Sequence, residues 1–275
     1  MTHPAIAPGN IAVITGAALG IGRALAQRFA AEGMRVALLD VDVEHMNAAR
    51  DEIAGETLAI LCDVGEIEAL EHARDRIGEA WGPQSSGAPS VLVNNAVTRI
   101  GRGFDASLED WHRAIEINLF GVINGVRAFL PAMQAADQPG LIINTGSKQG
   151  ITNPPGHPVY NMAKAAVKSY TEGLEHHLRQ NPDRKVSAHL LVPGWTTTGL
   201  NEHKSGAWLP GQVVDYMIDA LADDRFYIIC PDGETDEAED RARILWGAED
   251  ITESRPPLSR WDPEWEEVFA RQKRR

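Results

Sequence analysis

A chain of 275 residues with 43% apolar side chains is long enough to bury a large core within one α/β domain. A net charge of −13, from 26 Lys+Arg against 39 Asp+Glu, argues against a nucleic-acid or anionic-membrane partner. No stretch approaches the ~18 consecutive apolar residues of a membrane span. The opening MTHPAIAPGN is too short and proline-rich for a secretory signal, so a cytoplasmic location is expected. Cys62 and Cys230 lie inside apolar runs, where reduced, buried thiols are expected. The histidines show no metal-ligand spacing (His176 and His177 are adjacent, hence on different helix faces), and no metal is expected.

The β-branched run Ile11 to Thr15, closed by Gly16, has the pattern of a fully buried strand. After a glycine turn, Arg23 to Glu32 reads as a helix closed by Gly33. Met34 to Leu39 is a second strand ending at Asp40, and Val43 to Ala54 a helix. Thr57 to Cys62 is a strand ending at Asp63, and Glu66 to Trp81 another helix. Gly82 to Pro89 reads as a surface loop before a fourth strand, Ser90 to Asn94. Ser107 and Asp110 have the spacing of a capping box that opens one long helix to about Met133. Leu141 to Thr145 is the fifth strand, Pro158 to Gln180 a helix, and Lys185 to Val192 the sixth strand. Gly211 to Ala222 is a shorter helix and Phe226 to Cys230 a last strand.

Strict β/α alternation with continuous apolar strands predicts a doubly wound parallel sheet, the Rossmann fold, with about seven strands and helices on both faces. Residues 1–230 would form a single dinucleotide-binding and catalytic domain. Residues 231–275, acid-rich and carrying Trp246, Trp261 and Trp265, are not needed to complete the sheet. They are expected to pack as an extension on this domain or on a neighbouring subunit.

Gly16, Gly20 and Gly22 open a helix directly after a buried strand. Such glycines permit a tight turn, let backbone approach a pyrophosphate and let the helix pack close to the strand, with amide N–H groups of Leu19, Ile21 and their neighbours aimed at the phosphates. Asp40 ends the second strand, where a carboxylate accepts hydrogen bonds from the adenosine ribose. It would repel a 2′-phosphate, and Leu39 and Val41 offer no guanidinium, so NAD is expected over NADP. Arg23 is the one nearby cation that softens this preference.

Ser147 closes an apolar run; Tyr160 follows, and Lys164 comes one helical turn after Tyr160 if Pro158 opens a helix. A phenol and an ammonium on one face, with a hydroxyl from a strand end, make a proton-transfer site. Tyr160 would take the proton from a substrate hydroxyl as general base, or return it in reduction. Lys164 would stabilise the phenolate and bind the nicotinamide ribose, and Ser147 would hold the substrate oxygen. Asn118 stands mid-helix, a poor place for asparagine by propensity, which favours a functional role.

These residues resemble the short-chain dehydrogenase/reductase family over about Asn10 to Ala222. Thr15-Gly16, Gly20-Ile21-Gly22 look like its cofactor turn, Asp63-Val64 is similar to its adenine-contacting pair, and Asn94-Asn95-Ala96 resembles the motif ending its fourth strand. Ser147, Tyr160, Lys164 and Asn118 match its catalytic set, with Asn118 implied to hold a proton-relay water. Pro193, Gly194, Thr196 and Thr198 resemble the segment that holds the nicotinamide carboxamide. Two departures stand out. Val97 replaces the usual glycine near the nicotinamide, and the long tail replaces a chain end close after the last strand. The resemblance implies a homotetramer, or failing that a homodimer.

Substrate should be lined by Val97, Thr98, Gln149 to His157, and Trp195 to Trp208. The Trp195–Trp208 segment has two indoles and no cluster of cations, which points to a neutral, moderately apolar secondary alcohol or ketone; Trp195 equally suits core packing, and His157 either lines the pocket or caps a loop. The expected function is an NAD-dependent alcohol dehydrogenase or ketone reductase. The alternatives are an NADP-linked 3-oxoacyl or carbonyl reductase on the same site, and a non-catalytic NAD-binding sensor.

Overall fold

A computed structural model of the chain describes residues 2–82, 87–199 and 202–272. Seven parallel strands form its centre: β1 (Ile11–Thr15), β2 (Arg35–Asp40), β3 (Thr57–Leu61), β4 (Val91–Asn94), β5 (Gly140–Thr145), β6 (Val186–Val192) and β7 (Tyr227–Ile229). Their order is β3-β2-β1-β4-β5-β6-β7. The chain winds outward from β1 in one direction, returns to the centre, and winds outward in the other. The carboxyl ends of β1 and β4 therefore flank the switch point at which such sheets open a crevice. Every residue of β1, β4 and β5 is buried, so these strands read as unbroken apolar runs rather than alternating ones.

Helices α1 (Gly20–Ala31), α2 (Val43–Glu52) and α8 (Pro210–Ala222) cover one face, with Leu25, Phe29, Met46, Val213 and Met217 in its core. On the other face α3 (Ile67–Trp81), α5 (Gly121–Ala135) and α7 (Pro158–Arg179) contribute Leu70, Ile77, Phe129, Met133 and Leu178. Cys62 and Cys230 are both free and buried, and burial pushes each thiol up to about 12. No helix among the described residues is long and apolar enough to cross a membrane.

Three segments differ from the sequence expectation. The helix foreseen from Ser107 to about Met133 is α4 (Leu108–Ile115), then a π-helical turn at Glu116–Phe120, then α5. Its start is as expected, with Ser107 Oγ accepting from the Asp110 N–H at 3.1 Å. The loop foreseen from Gln149 to His157 begins with a short helix, α6 (Gln149–Thr152). Of the expected surface loop Gly82 to Pro89, residues 83–86 lie outside the described residues.

The third is the region after β7. It folds as α9 (Glu237–Thr252), a 3₁₀ turn (Ser259–Trp261) and α10 (Pro263–Gln272). Trp246 is 1% exposed and lies edge-on to Trp265 and Phe269, with the Arg255 guanidinium 4.3 Å above its ring. Its indole N–H donates to Ser259 Oγ at 2.8 Å, and that hydroxyl donates to Asp250 at 2.6 Å. The extension thus has a small aromatic core of its own.

Candidate active site

The turn between β1 and α1 is packed onto the end of β4 with no room to spare. Gly16 has φ +65°, and a Cβ there would stand 2.7 Å from Ala96 Cα. A Cβ on Gly22 would run into the Gly16 carbonyl oxygen. Thr15 Oγ1 accepts the N–H groups of Asn95 (2.9 Å) and Ala96 (3.1 Å), and Asn95 Nδ2 donates to the carbonyls of Thr15 and Gly16, both at 3.1 Å. Leu19, extended at the N-cap of α1, gives no side-chain cap. The first-turn N–H groups of Gly20, Ile21 and Gly22 have no acceptor within the helix and suit an anionic phosphate.

At the end of β2 the Asp40 carboxylate is held by the N–H of Ala18 (2.9 Å) and that of Asp42 (3.0 Å). Arg23 is ion-paired with Glu52. Asp63 accepts the Gly65 N–H at 2.9 Å and an ion pair from Arg113, while Val64 is buried in the core. Thr198 reaches the glycine turn from the far side: its carbonyl oxygen would lie 3.2 Å from a Cβ on Gly20. Thr196 turns its hydroxyl back to the Gly194 carbonyl at 3.1 Å.

Pro158 occupies the first turn of α7, as expected, and the helix brings Tyr160 and Lys164 to one buried face, 5% and 1% exposed. Lys164 Nζ donates to the Thr145 carbonyl at 2.8 Å and lies 5.9 Å from the Tyr160 ring centroid. Burial, with the Arg99 charge adding to it, lowers the Lys164 ammonium to about 8. Ser147 Oγ accepts the Gln149 N–H at 3.2 Å, which leaves its O–H free to donate. Asn118 is fully buried inside the π-helical turn. Its Oδ1 accepts from Thr98 N–H at 2.9 Å and its Nδ2 donates to the Thr98 carbonyl at 3.0 Å. Both ends of that amide fasten the β4–α4 loop to the helix.

Of the residues expected to line substrate, Val97 is exposed and His157 packs its ring edge-on to Tyr160, 6.4 Å between centroids. His157 Nδ1 and Gln149 Oε1 are buried without a hydrogen-bond partner among the described residues. Trp195 is 41% exposed. Trp208 instead packs on the core and on Tyr216, 5.9 Å between rings. Its N–H donates to the Trp195 carbonyl at 2.8 Å and closes the loop between the two indoles.

Sequence reasoning missed two cations. Arg99 lies with its guanidinium carbon 5.2 Å from the Tyr160 ring centroid. Lys148, next to Ser147, stands between Asp232 (3.1 Å) and Asp240 (2.7 Å), all three largely buried. Burial pushes the Asp232 carboxyl up, but the N–H groups of Trp195 and Glu234 and the Lys148 ammonium outweigh it and hold it below its usual range. Asp240 lacks the backbone donors, and burial holds it above that range. Adjacency to Ser147 was the only local signal, because both partners come from beyond β7.

A doubly wound sheet with a phosphate-shaped turn at its switch point, and a buried Tyr-Lys pair beside a strand-end serine, defines a nicotinamide-dependent oxidoreductase. The chain matches the short chain dehydrogenase family over residues 10–207 and belongs to it. It is 32% identical to 3beta-hydroxysteroid dehydrogenase 1 of Eggerthella lenta over 71% of this chain and 74% of that one. A short chain dehydrogenase/reductase from Burkholderia phymatum, solved in complex with NAD, superposes with TM-score 0.81 at 30% identity, covering 91% of this chain and 96% of that one. A metagenomic short-chain oxidoreductase in complex with NADP superposes with TM-score 0.67 at 30% identity, covering 82% and 98%.

Proposed function

We propose that this chain is an NAD-linked oxidoreductase that interconverts a secondary alcohol and its ketone, with Tyr160 as general acid and base. The observation that carries the reading is the buried Tyr160 beside Lys164, whose ammonium is fixed on the Thr145 carbonyl at 2.8 Å. A nicotinamide dinucleotide, when bound, supplies the site that accepts or returns hydride. The residues that would hold it are the first-turn amides of α1, Asp40, Asp63, Asn95, Ala96, Tyr160, Lys164 and the Pro193–Thr198 segment.

Ser147 donates its hydroxyl to the substrate oxygen and orients it toward the phenol. In oxidation the alcohol O–H passes its proton to Tyr160 as the carbonyl forms; in reduction Tyr160 returns it. Lys164, dehydrated and anchored, places a positive charge beside the phenol. Asn118 holds the Thr98 loop in place, and a water relay for the proton would draw on the carbonyls that a π-helical turn frees from i→i+4 pairing.

Asp40 supports NAD: its carboxylate is fixed by two backbone N–H groups where the adenosine ribose would lie, and Arg23 is engaged by Glu52. A strong preference for NADP would favour the carbonyl-reductase alternative. The expectation of a neutral substrate rests on the Trp195–Trp208 segment, whereas the β4–α4 loop brings the Arg99 guanidinium carbon to 5.2 Å from the Tyr160 ring centroid. A homotetramer remains part of this reading, supported by Phe120 and Met162, 48% and 47% exposed on the helices that flank the site. Steady-state assays over secondary alcohols and ketones with both cofactors test the proposal. Tyr160→Phe should lose turnover by roughly 10²–10⁴-fold while still binding NADH; full activity in that variant would refute the mechanism.

A further inference from the structure

The loop from Asn95 to Ser107 carries two arginines, Arg99 over the Tyr160 ring and Arg102 near His157. Arg99 stacks on the Tyr160 ring with its guanidinium carbon 5.2 Å from the centroid. Arg102 lies nearby: His157, on the same side of Tyr160, is held below its usual range by burial first and then by the charges of Arg102 and Arg99. Both guanidinium-bearing residues are exposed, and neither has a hydrogen-bond or ion-pair partner among the described residues.

Most arginines elsewhere on this chain, whose net charge is −13, find a carboxylate: Arg28 has Glu32 and Asp215, Arg113 has Asp63 and Glu116, Arg184 has Glu175, whereas Arg127, Arg241, Arg260 and Arg271 have none among the described residues. Arg99 and Arg102 have none either, and both lie on the loop beside Tyr160 and His157. His157, whose ring packs edge-on to Tyr160, has its Nδ1 buried with no partner among the described residues, and Gln149 Oε1 on α6 is likewise unpartnered. A buried polar atom left unpaired costs free energy, and a polar ligand group would relieve it.

Resting on the reading of Tyr160 as general acid and base, we propose that the substrate is a hydroxy acid or oxo acid whose carboxylate is bound by Arg99 and Arg102. The planar guanidinium fork matches a carboxylate in two parallel hydrogen bonds. Arg99 lies over the tyrosine ring rather than far up the wall, so the carboxylate lies roughly two to four bonds from the reacting carbon, at ~1.5 Å per bond. His157, kept neutral, donates or accepts one hydrogen bond to the polar end of the same ligand, and Val97 faces its carbon chain. Arg99 is here a specificity residue. It selects among alcohols and takes no part in the proton transfer.

The test uses 3-oxobutanoate, 4-oxopentanoate and 5-oxohexanoate, each against its methyl ester, with NADH and full-length enzyme. In the wild type the acids should exceed their esters in kcat/KM. Arg99→Ala should collapse that acid-over-ester ratio by roughly ten- to a hundredfold, mainly through KM, whatever it does to the ester itself. Arg99→Lys should retain part of the ratio, because the charge survives without the fork. An unchanged ratio in Arg99→Ala, or a wild-type preference for esters, overturns the inference. So does turnover confined to neutral secondary alcohols, which would leave the Tyr160 reading intact. Absence of turnover with every alcohol and ketone and either cofactor would instead remove that reading.

Discussion

Gly150 lies directly against the backbone of Lys164: a Cβ at this position would stand 2.5 Å from the Lys164 carbonyl carbon and 2.7 Å from its oxygen. The atoms in the way are backbone, which cannot rotate aside. This contact packs α6, which begins two residues past Ser147, onto α7, which carries Tyr160 and Lys164. Gly150→Ala is therefore expected to destabilise the fold by about 1–3 kcal/mol. It should also lower kcat by more than it raises KM, because it moves the serine relative to the phenol. Thermal unfolding with steady-state kinetics checks this, and a variant with native kcat would show that the contact is not needed for catalysis.

Lys164 gives a pH signature. Its ammonium falls from 10.5 to about 8 on folding, chiefly through burial. Below about pH 8 both states hold the proton, and the folded state bears the whole desolvation cost, about 3 kcal/mol. Between about 8 and 10.5 the folded chain releases a proton that the unfolded chain keeps, so stability rises with pH. Cofactor-free wild type should gain about 3 kcal/mol relative to Lys164→Met across that window, as read by denaturant unfolding at each pH. Parallel curves for the two proteins would contradict it.

Asp40 should decide between the cofactors. Removing the carboxylate in Asp40→Ala takes away a charged acceptor for the ribose hydroxyls and the repulsion of a 2′-phosphate together. The KM for NAD should rise roughly tenfold, and that for NADP should fall. A wild-type enzyme that already prefers NADP would end this reading of Asp40.

Lys148 couples the extension to the serine. In Lys148→Met the carboxylates of Asp232 and Asp240, with side chains 5% and 7% exposed, would lose the ammonium between them, leaving Asp232 only its backbone N–H donors. The expected loss is about 3–5 kcal/mol, since breaking a buried pair leaves an uncompensated charge. Adding Asp240→Asn to Lys148→Met should restore much of it by removing one of those charges. A single variant as stable as wild type would show that the cluster rearranges freely. If the double variant gains nothing, charge is not the cause.

The sheet and the buried Tyr160–Lys164 pair are legible because they are local in sequence. Buried parallel strands announce themselves as apolar runs, as in Leu141 to Thr145, and Tyr160 and Lys164 sit one turn apart on a helix opened by Pro158. Arg99 and Lys148 were not legible. A guanidinium over a ring and an ammonium between two acids depend on contacts across 61, 84 and 92 positions of chain, for which no local period exists. The extension reads as surplus to the sheet, yet its own core around Trp246 is not legible, because Trp246 on α9 meets Ser259 in the 3₁₀ turn and Trp265 and Phe269 on α10 only once the chain folds back. Trp208 borders the loop expected to line the substrate. The packing on Tyr216 that occupies it comes from α8.

The π-helical turn at Glu116–Phe120 also resets the geometry of everything that follows it. An i→i+5 turn inserts one residue into the helical count, and one residue is ~100° of rotation. Faces extrapolated from Leu108–Ile115 by a 3.6-residue period therefore point about a quarter-turn away from the true faces of Gly121–Ala135. Surface redesign of this helical stretch needs two separate helical wheels, joined at Asn118.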